Sequence, residues 1–387
     1  MFTSVLWLPS WYPSRVDSFA GDFVERHAMA VSRFANVTVL YVVKDEKLAN
    51  NTVEIEKNTA LNFTVYKVYY GRSGWGRRLE QFFSFKKYKR LQKDLYRQIV
   101  KEDGPPEIVH VQVAMKAGLL ALWLKEKYHI PFVVTEHWSG YNPRTEPNIY
   151  HGNRLIKALT KKILNKADLF LPVSQNLGNM VNQHFTSVRY NVVPNTVDTR
   201  IFHYRPAAMN CFRFIHPSTM IDIKNPDGIL MACKIVKESG YDFELLMIGN
   251  KEERLVLLSD KMGLAKQVFF KAAVPYEEVA RQMQQSSALL LFSYFENLPC
   301  VVLEALCCGL PVVCSRVGGI PELIDEENGI MVESANTAAL AGAMMKMMDT
   351  YAVYNRSAIA AKATDLFNYA TVGKKYADFY NAILEKT

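Results

Sequence analysis

The feature that most constrains this chain is a rhythm that plays twice. Short continuous apolar runs alternate with helical patterns, and halfway along the pattern starts again. In the first half the runs are SVLWL (4–8), VTVLYVV (37–43), FTVYKVY (63–69), IVHVQ (108–112), PFVVTE (131–136), LFLPVS (169–174) and YNVVP (190–194). Helices are expected over 19–34, 79–101, 115–128, 151–166 and 175–185. The second half offers FRFIHP (212–217), ELLMIG (244–249), QVFFK (267–271), ALLLF (288–292), PVVC (311–314) and GIMV (329–332), with helices near 226–238, 252–262, 276–285, 299–308, 336–349 and 352–366. Strands that are apolar throughout, separated by helices, make parallel sheets covered on both faces. The expected fold class is α/β, with two Rossmann-like domains whose boundary is PNTVDTRIFHYRP (194–206). Ligands in such sheets bind beyond the carboxyl ends of the strands, so two of them facing each other would enclose a cleft.

A length of 387 residues agrees with two domains at about 150 residues each. The six cysteines (Cys211, Cys233, Cys300, Cys307, Cys308, Cys314) form no CxxC pair, which excludes a zinc ribbon and a thioredoxin-type motif. Most sit in apolar runs, where a free thiol behaves as a small hydrophobe, so a reducing, cytoplasmic setting is expected. No apolar stretch reaches the roughly 18 residues of a spanning helix. MFTSVLWLPSW lacks a basic leader and reads as a first strand. Charge is local. Residues 72–101 carry ten Lys or Arg against Glu80 and Asp94, which is the whole of the net +8. A general nucleic-acid binder is therefore not expected.

There is no GxGxxG, no Walker loop and no Asp-x-Asp, so neither a dinucleotide fingerprint nor the usual metal-holding pair is present. What stands out is FSYFENLPCVVLEALCCGLPVV (292–313). A helix is expected to begin at 298–300, with Pro299 in its first turn. Glu304 then lies among apolar neighbours, where a carboxylate is costly unless a partner satisfies it. Glu304 is either satisfied by a ligand, or it is a structural ion pair or a capping carboxylate. Glu296 lies in the loop after the strand ALLLF, where ligands bind. Lys224 follows a strand and precedes a helix whose N-cap is expected at Asn225, with Pro226 first. His137 ends the strand PFVVTEH, at the carboxyl end where a site would be.

Glu296 and Glu304, set in ENLPCVVLEALCCGLPVV, resemble the paired-glutamate signature of retaining GT-B glycosyltransferases of the family-4 type. VGGIPELI (317–324) resembles the glycine loop of that family, GDFVERHA (21–28) its N-terminal glycine loop, VVPNTVD (192–198) its interdomain segment, and FNYATVGKKYADFY (367–380) its C-terminal helices. The resemblance spans nearly the whole chain. It implies a GT-B fold: an acceptor domain over 1–196, a nucleotide-sugar domain over 197–369, and a final helix over 370–387 that returns to the first domain.

The site residues follow from the same resemblance. Glu296, with Asn297 and Leu298 beside it, is expected to bind the donor sugar and Glu304 the ribose. Lys224 is expected to bind phosphate, and Gly318, Gly319 and Gly21 to let backbone approach the pyrophosphate. His137 is expected to assist near the anomeric carbon, so Glu296 and His137 are the catalytic candidates. His27 also matches a family position and stays open between site and core. The resemblance departs at Thr219, where the family commonly has Arg. Ser218 or Thr219 is expected to offer a hydroxyl instead.

The expected activity is retaining, metal-independent transfer of a hexose from a nucleotide sugar (UDP before GDP) to a glycan or lipid-linked acceptor. No other cofactor is expected. The setting implied is bacterial surface polysaccharide or glycolipid synthesis. The basic segment 76–100 is expected to form a helix with Leu79, Phe82, Tyr88, Leu91, Leu95 and Ile99 on one stripe. Its charged face is either plain solvated surface or a site for an anionic membrane or acceptor. Two rivals stand beside this reading: a transferase with a small soluble acceptor, and an inactive nucleotide-sugar-binding protein.

Overall fold

The computed structural model describes residues 2–74, 77–206, 211–250 and 252–386. Gly76, in the expected basic segment, and the side chains of Arg77 and Arg78 lie outside the described residues. The chain divides into two compact units, Met1–Pro194 with Tyr369–Thr387, and Asn195–Asn368. The divisions fall after Pro194 and Asn368, within two residues of the boundaries expected after Thr196 and Tyr369.

Unit 1 runs β1 (Thr3–Pro9), α1 (Asp22–Val31), β2 (Ala35–Lys44), β3 (Val53–Ala60), β4 (Phe63–Tyr70), α2 (Arg77–Asp103), β5 (Ile108–Gln112), α3 (Gly118–Tyr128), β6 (Phe132–Glu136), α4 (Arg154–Lys166), β7 (Leu169–Pro172) and α5 (Gln175–His184). Its sheet has the order β3-β4-β2-β1-β5-β6-β7. Chain direction across the sheet reverses between β1 and β5, where Val5 stands level with Ile108. β5 and β6 are buried at every position, as continuous apolar runs covered on both faces require.

Two strands differ from expectation. β3 pairs antiparallel with β4 and was not foreseen. It is exposed at every residue, so it carries no burial pattern to read. The run 190–194 forms only a bridge, Tyr190 to Phe170. Asn191 and Val193 donate to Phe170 and Pro172, but Pro172 has no N–H to return the bond.

Unit 2 runs β8 (Arg213–Ser218), α6 (Pro226–Glu238), β9 (Glu244–Gly249), α7 (Glu253–Lys261), β10 (Val268–Ala272), α8 (Tyr276–Gln284), β11 (Ala288–Leu291), α9 (Cys300–Cys307), β12 (Val312–Ser315), β13 (Gly329–Val332), α10 (Thr337–Asp349) and α11 (Arg356–Phe367). Every pairing in its sheet is parallel, in the order β10-β9-β8-β11-β12-β13, with the reversal between β8 and β11. The last helix, α12 (Tyr369–Leu384), belongs to unit 1 and packs on α1. Val372, Tyr376 and Tyr380 are fully buried in that unit's core beside Trp7, Val24 and Ala28. Each such aromatic contributes roughly 1.5–3 kcal/mol through burial.

All six cysteines are free. Burial pushes the thiols of Cys307 and Cys314 up to about 12, so they pack as apolar groups. Among the described residues no helix is long and apolar enough to cross a membrane.

Candidate active site

In unit 2 the loops after β8, β11 and β12 converge where the sheet reverses direction. In α/β sheets that crevice is where ligands bind. Asn225 caps α6 as expected, accepting from the Gly228 N–H at 3.1 Å with Pro226 in the first turn. A short 3-10 turn, Asp222–Lys224, precedes it. That turn delivers the Lys224 ammonium to Glu296, Nζ to Oε1, at 2.6 Å. Ser293 Oγ donates to the same oxygen at 2.6 Å. Tyr294 N–H donates to the Ile223 carbonyl and fastens the two loops together. Lys224 and Glu296 thus form a half-buried ion pair; the Glu296 side chain is 8% exposed and that of Lys224 21%.

The glycine loop closes on the same residues. Gly318 has φ +56°, and a Cβ there would lie 1.6 Å from the Glu296 carbonyl oxygen. Only glycine fits that approach. The Gly319 N–H donates to the Asn297 carbonyl at 2.7 Å, so this amide is committed to the loop and not to a phosphate. Gly319 itself has φ −85°, which any residue adopts. Leu298 is buried, its carbonyl accepting from Asn195 Nδ2 at 2.7 Å.

α9 sets out from this loop. Pro299 is its N-cap, one place earlier than the first turn expected of it. Glu304 falls on the second turn and is buried among Val302, Leu303, Ala305 and Leu306. The Ser218 hydroxyl is also taken up locally. His216 Nδ1 lies 2.8 Å from the Leu290 carbonyl and must donate to it, so His216 Nε2 accepts from Ser218 Oγ at 2.8 Å. Ser218 Oγ in turn accepts from the Met220 N–H. Burial holds the His216 pKa down to about 4. Thr219 is exposed and Ser218 half-buried.

In unit 1, His137 follows β6 and is half-buried. Its Nε2 lies 2.9 Å from Gln112 Oε1, at the end of β5. Its N–H donates to Glu136 Oε1 at 3.0 Å. Glu136 is fully buried and also accepts from the N–H groups of Trp138 and Ala114 and from the Tyr141 hydroxyl. Burial raises its pKa, and these four donors oppose the rise. His27 packs edge-on against the His137 ring, with centroids 5.2 Å apart, and its Nδ1 lies 2.9 Å from the Tyr376 hydroxyl. Gly21 has φ +71°, and a Cβ there would lie 2.4 Å from the Trp11 carbonyl oxygen. The turn into α1 therefore requires glycine, whatever else approaches.

Ser293, Glu136, Gln112 and His110 join these clusters without having been singled out from the sequence. The available signal was a polar residue ending an apolar strand or just after it for Gln112, Glu136 and Ser293, and a polar residue inside one for His110, as in IVHVQ and FVVTE.

The basic helix α2 is more divided than expected. Tyr88, Leu95 and Ile99 are buried, but Leu79 and Phe82 are 51% and 53% exposed. Lys86 and Lys89 lie over the rings of Phe82 and Phe85.

The family model "Glycosyltransferase Family 4" matches residues 36–201, and "Glycosyl transferases group 1" matches residues 210–364. The chain is 24% identical over 372 residues to a Bacillus subtilis protein named for teichuronic acid biosynthesis, covering 88% of each. Sucrose-phosphate synthase from Thermosynechococcus elongatus superposes with a TM-score of 0.79 at 16% identity, over 99% of this chain and 100% of that one. Anabaena HepE, solved with UDP, gives 0.72 at 16% identity, over 98% and 100%. With two Rossmann-like sheets and matches to both family models, the chain belongs to the GT-B glycosyltransferases of the family-4, group 1 type.

Proposed function

We propose that this glycosyltransferase moves a sugar, with retention at the anomeric carbon, from a nucleoside diphosphate sugar on unit 2 to a glycan or lipid-linked acceptor on unit 1. The observation that carries the reading is the Lys224–Glu296 pair at the reversal point of the second sheet. As the sugar–oxygen bond breaks, negative charge grows on the β-phosphate. Lys224 is the cation placed to meet it, helped by the amide ends of α6 and α9. The reading is of a metal-independent reaction, in which Lys224 and backbone amides do what a bound cation would otherwise do.

A diphosphate takes Lys224 over from Glu296. The released carboxylate, still aimed by Ser293, then accepts hydrogen bonds from the donor sugar. Glu304 serves the ribose, and His137 works beside the anomeric carbon. HepE bound to UDP supports UDP over GDP. The relative named for teichuronic acid synthesis supports an acceptor in surface polysaccharide. The exposed Leu79 and Phe82, beside Lys86, Lys89 and Arg90, support seating α2 on the anionic inner face of the cell membrane, with the enzyme in the cytoplasm.

The test is a thermal-shift screen of UDP, GDP and their sugars, followed by transfer assays with and without EDTA. A nucleotide bound to the folded state raises the melting temperature. UDP is expected to raise it in wild type and to do so less in Lys224→Gln, and transfer is expected to survive EDTA. If no nucleoside diphosphate raises it, the donor reading is wrong. Activity lost to EDTA and restored by magnesium or manganese would remove the metal-independent part.

A further inference from the structure

Behind His137 lies a row of buried polar groups that the proposed reaction does not itself use. Gln112 is fully buried at the carboxyl end of β5. Its two amide ends face two histidines: Oε1 lies 2.9 Å from His137 Nε2, and Nε2 lies 3.1 Å from His110 Nε2. His110 is fully buried as well. Its Nδ1 lies 2.5 Å from the Tyr380 hydroxyl and its Nε2 lies 2.8 Å from Thr135 Oγ1. Thr135 Oγ1 is 3.3 Å from the Tyr376 hydroxyl. Tyr376 and Tyr380 both come from α12.

An amide can accept only at its oxygen and donate only at its nitrogen. The ring nitrogen facing Oε1 must therefore carry a proton. In this arrangement His137 has its proton on Nε2. The backbone around Gln112 is held with equal care. Val113 has φ +66°, a conformation that a β-branched residue seldom adopts. Its N–H donates to the Thr135 carbonyl at 2.9 Å, and its own carbonyl accepts from Ser10 Oγ at 2.9 Å. The next N–H, of Ala114, goes to Glu136. Glu136 thus ties the β5 loop to the His137 backbone, while Gln112 ties it to the His137 ring. Backbone held in a rare conformation beside a site points to a geometry the site needs.

We infer that Gln112 is a positioning residue for His137. Its amide, anchored on His110 and through it on α12, fixes the His137 ring in the tautomer with the proton on Nε2 and the lone pair on Nδ1. The functional side of this inference rests on the proposal that His137 works at the reacting sugar.

The first measurement needs no variant. The histidine ring nitrogens of the full-length enzyme are labelled isotopically, and their shifts are read by NMR, with His137 assigned from its loss in His137→Asn. The Nε2–H tautomer is expected at His137, and the Nδ1–H tautomer would overturn the inference. The second compares two variants whose folding is checked by melting. Gln112→Leu is expected to leave His137 a mixture of tautomers. It should lower kcat about 10- to 100-fold, the scale of a misplaced catalytic group, with little change in donor KM. Gln112→Glu, which keeps an acceptor toward His137 but loses the amide donor toward His110, is expected to retain the tautomer and to recover only part of kcat. If Gln112→Leu keeps both the wild-type tautomer and the wild-type kcat, Gln112 does not position His137. If His137→Asn itself leaves kcat unchanged, the catalytic reading of His137 falls instead, and the tautomer shifts still decide what Gln112 does.

Discussion

At the reversal point of unit 2 the chain places opposite charges, Lys224 and Glu296, 2.6 Å apart and within reach of solvent. At the reversal point of unit 1 it places neutral groups, Gln112 and His110, both fully buried. Burial drives the His110 pKa well below its ordinary value of 6.5, so that ring stays uncharged. An ion pair at a partly open site can exchange partners when a charged ligand arrives. A buried neutral network has no ligand to exchange with, so it holds geometry. One sheet is thus furnished to receive charge and the other to keep a ring in place.

The sharpest way to break this contrast is to remove the charge. Lys224→Gln is expected to cut kcat/KM about 10²- to 10³-fold, the usual loss when one electrostatic group facing a developing anion is deleted. Initial rates under saturating acceptor would show it. A loss below about tenfold would mean that Lys224 is not the group facing the phosphate.

Acid probes the buried histidines that lie in both units. Folding lowers the pKa of His216 to about 4, and His110 is lowered well below 6.5. Above pH 6.5 neither residue takes up a proton in either state, so their contribution is fully present. Below it the unfolded chain takes up protons that the folded chain refuses. Each such histidine then costs about 1.4 kcal/mol per pH unit, for His216 down to about pH 4. Urea unfolding between pH 7 and pH 4 should show this loss, and His216→Gln should remove its share of it, leaving that of His110. A wild-type curve that is level over this range would mean that these rings do not stay neutral.

Glu304→Gln should weaken UDP binding by about 1.5–3 kcal/mol, roughly 10- to 150-fold, if its carboxylate accepts from the ribose. Calorimetry decides this, and an unchanged affinity in a folded variant would return Glu304 to a structural role.

The smallest effect concerns the surface of α2. Lys87 donates to the Gly71 carbonyl and is partly committed to the fold. The informative variant is therefore Lys86, Lys89 and Arg90 together to Gln. Each charge contributes about 1 kcal/mol near an anionic bilayer, and salt screens it within about 10 Å. Wild type should sediment with anionic vesicles at low salt and the variant should not, with UDP affinity the same in both. Wild type left in the supernatant would make α2 an ordinary solvated face.

How legible these regions were in the sequence also differs. Continuous apolar strands announced both sheets, and Asn225-Pro226 announced the start of α6. Lys224 and Glu296, 72 residues apart, were read as one site and are bonded. β3 was not readable because it is exposed throughout and paired on one side, so it carries no burial signal. The run 190–194 looked like a strand, but its failure lies in the neighbouring Pro172. The positioning groups of unit 1 were hidden for another reason. A Gln or Glu at the end of a strand is ordinary, and nothing local says that Gln112 and Glu136 hold the same histidine. The glycines at 21 and 318 were read as making room for a ligand. Their nearest neighbours are the chain's own carbonyls at Trp11 and Glu296.

The place of α12 also bears on the order in which the protein can be made. The chain leaves the ribosome from its first residue onward, and unit 2 is continuous, so it can close once α11 has emerged. Unit 1 precedes unit 2 but keeps a gap in its core until Tyr376 and Tyr380 arrive, after the whole of unit 2. While unit 2 is being made the earlier half therefore waits for the later one, with His110 lacking its tyrosine partner. The unit that is started first is the one that is finished last.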